Sequence, residues 1–269
     1  MRPHQQEIPE VSRPDAAADP RRGRPAGSTA ASVKAGGRLC DAFSAQSLPR
    51  PAKRRLSPST LLAPLPVVLV STATAYLPKE KRFVGADVAA FAWCGIVNSR
   101  PPMLSLSVRA ERLSYTRIES NGEFVVNLVH DMLSPICDYC GQVSGRETDK
   151  FKFCGLHAVK AAEMKSAPAL AESLLTLSCR VRKAEDLGSH QLFLAEILAV
   201  EAAEELMDEK GALHLERAGL VAYRHGHYVR LAETLGFFGY SLAREDVRRR
   251  RLRSFQAPPR RRKHADRRS

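Results

Sequence analysis

No GxGxxG, GxxxxGK[ST] or GxSxG occurs in this chain, which excludes the Rossmann turn, the P-loop and the nucleophile elbow of an α/β-hydrolase. No apolar run is long enough to span a bilayer, and residues 1–60 hold no stretch suited to a signal-peptide core. Six cysteines are present, but they supply a single CxxC, Cys137 and Cys140. Cys40, Cys94, Cys154 and Cys179 are scattered, so the second pair that a structural zinc site requires is missing, and no metal site is expected. A thioredoxin-like pair opens a helix that follows a strand. Here the pair closes an expected helix just before Gly141, so buried or half-buried free thiols in a reducing compartment, the cytoplasm, are expected.

Charge is abundant but unevenly placed. The formal net charge of +13 divides into +6 for residues 1–60, −2 for 61–245 and +9 for 246–269. The basic character therefore belongs to the ends and carries no information about the substrate of the middle. Residues 1–60 are rich in Arg, Pro, Ala and Ser without an apolar period and are expected to be a disordered extension. Residues 246–269, with Arg248–Arg251 and Arg260–Lys263, are expected to be a disordered Arg-rich tail. Such clusters can bind nucleic acid through phosphate charge alone, but interleaved aromatics are lacking, and a solvated tail is the expectation.

Residues 61–245 are enough for one domain. Short β-branched or aromatic runs bounded by Pro, Gly or polar residues predict strands at Val67–Ser71, Val88–Val97, Leu104–Val108 and Phe124–Val129. Leu174–Glu185 and Gln191–Glu201 read as a long hairpin turning through Leu187-Gly188-Ser189-His190. Helices are predicted at Glu111–Ser120, Met132–Cys140 and Glu147–Cys154. Many strands with few helices and no βαβ alternation imply a mainly β fold, a closed antiparallel barrel with helical insertions.

Two segments carry chemistry. Ala89–Met103 is an apolar strand ending in Asn98-Ser99 and a stiff Pro101-Pro102, while Ser144–Phe151 (SGRETDKF) offers a hydroxyl, a glycine and a lysine within eight residues. Ser144 is expected to cap the helix that Glu147 enters, gathering free N–H groups near the Lys150 ammonium. Backbone donors and a compact cation suit a phosphate, and the apolar strand suits a flat aromatic ring.

Seven landmarks then follow in one order: Pro66–Ser71, Ala92–Met103, Gly122–Val129, Asp138–Phe151, Leu187–Ile197, Ala222–Tyr228 and Leu235–Gly239. In that order the chain resembles the flavin reductase-like family of FMN-binding split barrels, which includes flavoredoxin. The resemblance implies a split β-barrel with the flavin lined by Trp93, Cys94, Asn98, Ser99, Pro101 and Pro102, and the phosphate near Ser144 and Lys150. It places Tyr223, His225, His227 and Tyr228 near the flavin and the nicotinamide entry side. Asp87 stands where the family often shows Asn, and a carboxylate there repels a phosphate unless it is protonated or turned away. His190 is the candidate catalytic residue nearest the ring, able to donate to a flavin carbonyl or stabilise the anionic reduced form.

The implied function is an NAD(P)H-dependent flavin reductase or flavoredoxin-like oxidoreductase. It would use FMN, with FAD as the alternative, and NADH or NADPH as reductant, passing electrons to free flavin or a redox partner protein. A homodimer is implied by the same resemblance. The competing reading is a noncatalytic FMN-binding electron carrier, with nucleic-acid binding by the Arg-rich tail behind it.

Overall fold

The computed structural model describes residues 48–231 and 234–256, so the disorder expected for 1–47 and 257–269 concerns residues outside that range. Two compact units divide the chain, residues 1–58 and 59–269. Of the first, residues 48–58 are exposed and form neither helix nor strand.

The second unit begins with β1 (Leu65–Pro66), β2 (Val68–Thr72), β3 (Ala75–Leu77), β4 (Arg82–Val84), β5 (Asp87–Phe91), β6 (Cys94–Ser99) and β7 (Pro102–Val108). Helix α1 (Leu113–Asn121), β8 (Glu123–Leu128), α2 (Ser134–Gln142) and α3 (Lys150–Cys154) follow. After β9 (Ala158–Lys160) and β10 (Pro168–Leu170) come the long β11 (Leu175–Asp186) and β12 (Gln191–Ala202), then β13 (Val221–Arg224), β14 (His227–Arg230) and α4 (Glu245–Gln256).

Seven strands form one antiparallel sheet in the order β5-β2-β8-β11-β12-β7-β6. Its two edge strands, β5 and β6, are consecutive in sequence and joined only by Ala92 and Trp93, so the sheet curls until its edges approach. Alternating side chains from five strands meet inside: Val68 and Val70 of β2, Leu104 and Leu106 of β7, Phe124 and Val126 of β8, Cys179 of β11 and Phe193 of β12. Period-2 alternation from five strands converging on one cluster is what a barrel interior requires. Ile118 of α1 joins that cluster.

The outer face of β2 and β5 is covered as well. Leu69 and Val88 pack with Leu133, Cys137, Cys140 and Phe151, which brings α2 and α3 over this side of the sheet. β2 is consequently buried along its whole length. Asn127 on β8 pins β10 to the barrel, because its amide donates to the Leu69 carbonyl at 2.9 Å and its carbonyl oxygen accepts from the Leu170 N–H at 2.8 Å.

Three expectations change. The single strand expected over Val88–Val97 is two, β5 and β6, because the chain corners at Ala92-Trp93, where the Trp93 carbonyl accepts from the Ser107 N–H at 3.0 Å. The helix expected from Glu147 starts at Lys150. Asp149 caps it, its carboxylate accepting from the Lys152 N–H at 3.0 Å, whereas the Ser144 hydroxyl accepts from the Arg146 N–H within a preceding turn. Finally, 245–256 is helical where the tail was expected without structure. Glu245 and Asp246 occupy its first turn, and Glu245 pairs with Arg248 and Arg249 at i+3 and i+4.

Candidate functional site

Two adjoining pockets lie beside the β5–β6 corner. The first is a cavity of about 400 Å³ lined on one side by Trp93 and His190 and on another by Tyr223 and Tyr228. The β11–β12 turn carries His190 onto Trp93, with ring centroids 4.6 Å apart and planes tilted by 38°. The Ser189 hydroxyl and His190 Nδ1 lie 2.9 Å apart. Trp93 stays 42% exposed, so its ring is wall and not core filler.

The β13–β14 hairpin supplies the opposite wall. Tyr223 and Tyr228 meet edge to face at 5.8 Å, and the Tyr228 hydroxyl donates to Asp138 Oδ1 at 3.1 Å. Burial, together with the neighbouring Cys137 and Asp138, pushes the Tyr228 phenol well above its ordinary value, so it stays protonated. Arg109, Arg112 and Ser107 complete the polar part of this cavity.

The second pocket, about 240 Å³, is lined by Asp87, Ser114, Ser144, Gly145 and Lys150, and Arg112 lines it too. Arg112 thus borders both spaces, and its Nη2 donates to the Gly141 carbonyl at 3.0 Å. Lys150 Nζ stands 3.1 Å from Asp87 Oδ1, and the two side chains are only 2% and 4% exposed. The Asp87 carboxylate is therefore turned onto a buried ammonium. Its charge is offset by Lys150, and the other charged groups on the wall are Arg112 and Glu111, the latter paired with Arg109 at 3.3 Å.

Gly145 is fixed by close approach. A Cβ added there would lie 2.3 Å from Asp87 Oδ1. Gly145→Ala is expected to push the carboxylate off Lys150, with a loss of about 1–3 kcal/mol in stability measured by urea unfolding.

Of the residues expected at the site, the structure brings Trp93, His190 and Tyr223 to the first pocket and Asp87, Ser144 and Lys150 to the second. Cys94, Asn98 and Ser99 line neither. Cys94 packs against the barrel interior, and burial pushes its thiol up to about 11. Asn98 and Ser99 are exposed at the β6–β7 turn, where the Asn98 amide donates to the Pro101 carbonyl at 2.9 Å. Cys137 and Cys140 are buried free thiols, each pushed up by burial to about 12, too high for a reactive thiolate. His225 lies on the β13–β14 turn and His227 opens β14, and both are exposed. Among the described residues no cluster of His, Cys, Asp or Glu could hold a metal ion, and no helix is long and apolar enough to cross a membrane.

Arg109, Arg112 and Ser107 were not singled out from sequence. The signal available was two arginines three residues apart just where a helix was expected to begin.

The family model of the flavin reductase like domain matches residues 61–232. The chain belongs to the flavin reductase-like family. Among solved structures it is similar to flavoredoxin of Desulfovibrio vulgaris (Miyazaki F), 26% identical with a TM-score of 0.61, covering 69% of this chain and 97% of that one. Flavoredoxin from Methanosarcina acetivorans is likewise 26% identical with a TM-score of 0.61, covering 71% and 100%. An uncharacterized protein of Archaeoglobus fulgidus is 30% identical over 118 residues, which is 44% of this chain. The aligned part spans 66% of that protein, just under two thirds of its length. The split-barrel expectation thus agrees with both the curled sheet and the solved family members.

Proposed function

We propose that this protein is a flavin reductase-like oxidoreductase that holds a flavin across the two pockets and takes electrons from NADH or NADPH. The observation that carries this reading is that an aromatic-walled cavity and a pocket lined by Lys150 share the Arg112 side chain as a common wall. A planar ring with a phosphate tail has the same polarity, apolar and flat at one end and anionic at the other. FMN is the smallest flavin with both ends.

When bound, the flavin supplies hydride acceptance at its ring. The chain's own part is to bind, orient and exclude water. Trp93 and His190 form one wall, and His190 can donate a hydrogen bond to a ring carbonyl or offset the charge of the reduced ring. Arg109 and Arg112 add positive charge beside it. Ser144, Arg112 and Lys150 receive the phosphate, with Asp87 holding Lys150 in place. The acceptor in this reading would be free flavin or a redox partner protein. A homodimer is part of the proposal, supported by the edge strand β6, on which Ile96 and Val97 are 69% and 51% exposed.

The test is NADH and NADPH oxidation by the full chain with added FMN. His190→Ala is expected to slow hydride uptake about 10- to 100-fold while leaving FMN affinity within about threefold. Equal rates in the variant and the parent would remove His190 from the mechanism, and no oxidation of either nucleotide would return the protein to the role of electron carrier.

A further inference from the structure

The stretch that leads into α4 presents its large apolar side chains to water. Leu235 and Leu242 are 86% and 91% exposed and Phe238 completely so, although the turn that carries them is ordered. Tyr240 lies against Gly236, where an added Cβ would come within 2.5 Å of the ring, and Phe237 meets Tyr240 edge to face at 6.4 Å. The Tyr240 N–H donates to the Phe237 carbonyl at 2.8 Å and the Leu242 N–H to the Gly239 carbonyl at 3.1 Å. Phe237 is thereby held inward and its neighbour Phe238 outward. Three such side chains within eight residues of a fixed turn are more than the scattered apolar residues of an ordinary surface.

α4 lies beside this turn, the Arg251 guanidinium standing 4.8 Å from the Phe237 ring centroid. Residues 245–256 carry five arginines against Glu245 and Asp246, a net +3. Arg249, Arg250 and Arg253, spaced i, i+1 and i+4, share one side of the helix and are exposed, while Val247 and Leu252 are half-buried. Glu245 pairs with Arg248 and Arg249, and Asp246 with Arg244. No ion pair among the described residues engages Arg250 or Arg253. The sequence stays basic to residue 269, whereas residues 61–245 sum to −2, so the positive charge is concentrated at this end of the chain.

Exposed apolar side chains next to unneutralised arginines match the boundary of an anionic lipid leaflet, where headgroup phosphates and acyl chains lie within about 5–10 Å of each other. Arginine suits that boundary, because its guanidinium can stay with the phosphates while its methylene stem lies on apolar surface. Two other partners fit less well. A nucleic acid would use the charge but give Leu235 and Leu242 nothing to bury against, and a second copy of the same face would bring like charges together. We propose that residues 235–256 dock this protein on an anionic membrane surface, with Leu235, Phe238 and Leu242 entering the headgroup boundary and Arg250 and Arg253 pairing with lipid phosphates. The proposal is independent of the flavin reading, since it places the molecule and assigns the lipid no step in the chemistry.

The experiment is co-sedimentation of the full chain with vesicles of phosphatidylcholine alone and of phosphatidylcholine mixed with phosphatidylglycerol. It compares the parent with two double variants, Phe238→Ser with Leu242→Ser and Arg250→Gln with Arg253→Gln. All four side chains are exposed, so their replacement leaves the core packing alone. The parent is expected to partition about 10- to 100-fold more strongly onto the anionic vesicles than onto the neutral ones, and each double variant is expected to lose about tenfold of that binding. No preference for the anionic vesicles, or a preference untouched by the serine pair, would overturn the proposal. A duplex DNA oligonucleotide at the same salt is the second probe: if it strips the parent from the vesicles and binds the serine variant equally well, the surface serves nucleic acid and the lipid assignment is wrong. Sedimentation equilibrium without lipid is the third: a parent dimer that the serine pair turns into a monomer, with vesicle binding unchanged, would make the exposed turn a contact between copies and overturn the proposal as well.

Discussion

Lys150→Met is expected to cost about 3–5 kcal/mol of folding stability, since it leaves the Asp87 carboxylate buried without its only ion-pair partner among the described residues. For a domain of this size that is a fall of about 10 °C in Tm. The double variant Lys150→Met with Asp87→Asn is expected to recover a good part of the loss, because a neutral amide is far cheaper to bury than an unpaired carboxylate. Paired urea unfolding of the parent, the two single variants and the double variant measures the coupling. A purely additive cycle would mean that the two charges do not act on each other. The same Lys150 variant is expected to lose FMN affinity more than it loses hydride-transfer rate, since the ammonium lies in the phosphate pocket and away from the ring.

Glu123→Ala is the second large effect, about 3–5 kcal/mol. Glu123 starts β8 and is buried, and its carboxylate accepts from the backbone N–H groups of Lys165, Ser166 and Ala167 and from the Ser166 hydroxyl. Alanine would leave the Ser166 and Ala167 donors buried and unpaired. Burial alone would raise this carboxyl's pKa, but the converging hydrogen bonds outweigh it and hold the pKa below the ordinary glutamate value. The sign follows from linkage. A group whose folded pKa is depressed contributes its full stability above the unfolded value and loses it as pH falls through the folded one. The stability gap between the parent and Glu123→Gln is therefore expected to be widest near neutral pH and to narrow as acid protonates Glu123. A gap that stays constant down to acid pH would contradict the assignment.

How far the sequence speaks depends on the range of the interaction. Leu104–Val108 came within two residues of β7, whose half-buried pleat leaves its alternation in the residues, and Phe124–Val129 came within one of β8, a β-branched run buried on both faces and bounded by Gly122 and His130. The long hairpin was legible for the same reason, and its Gly188-Ser189 turn set the partner residues from Leu175↔Ala202 to Asp186↔Gln191. Trp93 and His190 are 97 positions apart in sequence, and only the β12–β7–β6 pairing makes them neighbours. Their union at one wall was therefore reached by resemblance and not by pattern.

The opposite failure is equally physical. Ser144 followed by Glu147 reads as a capping box, yet Asp149 competes for the same helix and wins, so Ser144 turns toward the pocket. Asp87 looked hostile to a phosphate when taken alone. Its partner, 63 positions later, removes that objection, and nothing local in either segment announces the pairing. Arg112 escaped notice because an arginine at a helix start is an ordinary surface residue until the barrel supplies pockets beside it.

The most direct measurement is the visible absorption spectrum of the full chain saturated with FMN, recorded anaerobically before and after NADH or NADPH is added. The account predicts that flavin co-purifies with or binds to the protein and that its visible band bleaches once the nucleotide is present. A protein that takes up no flavin, or one whose bound flavin keeps its oxidised spectrum with both nucleotides, would contradict it.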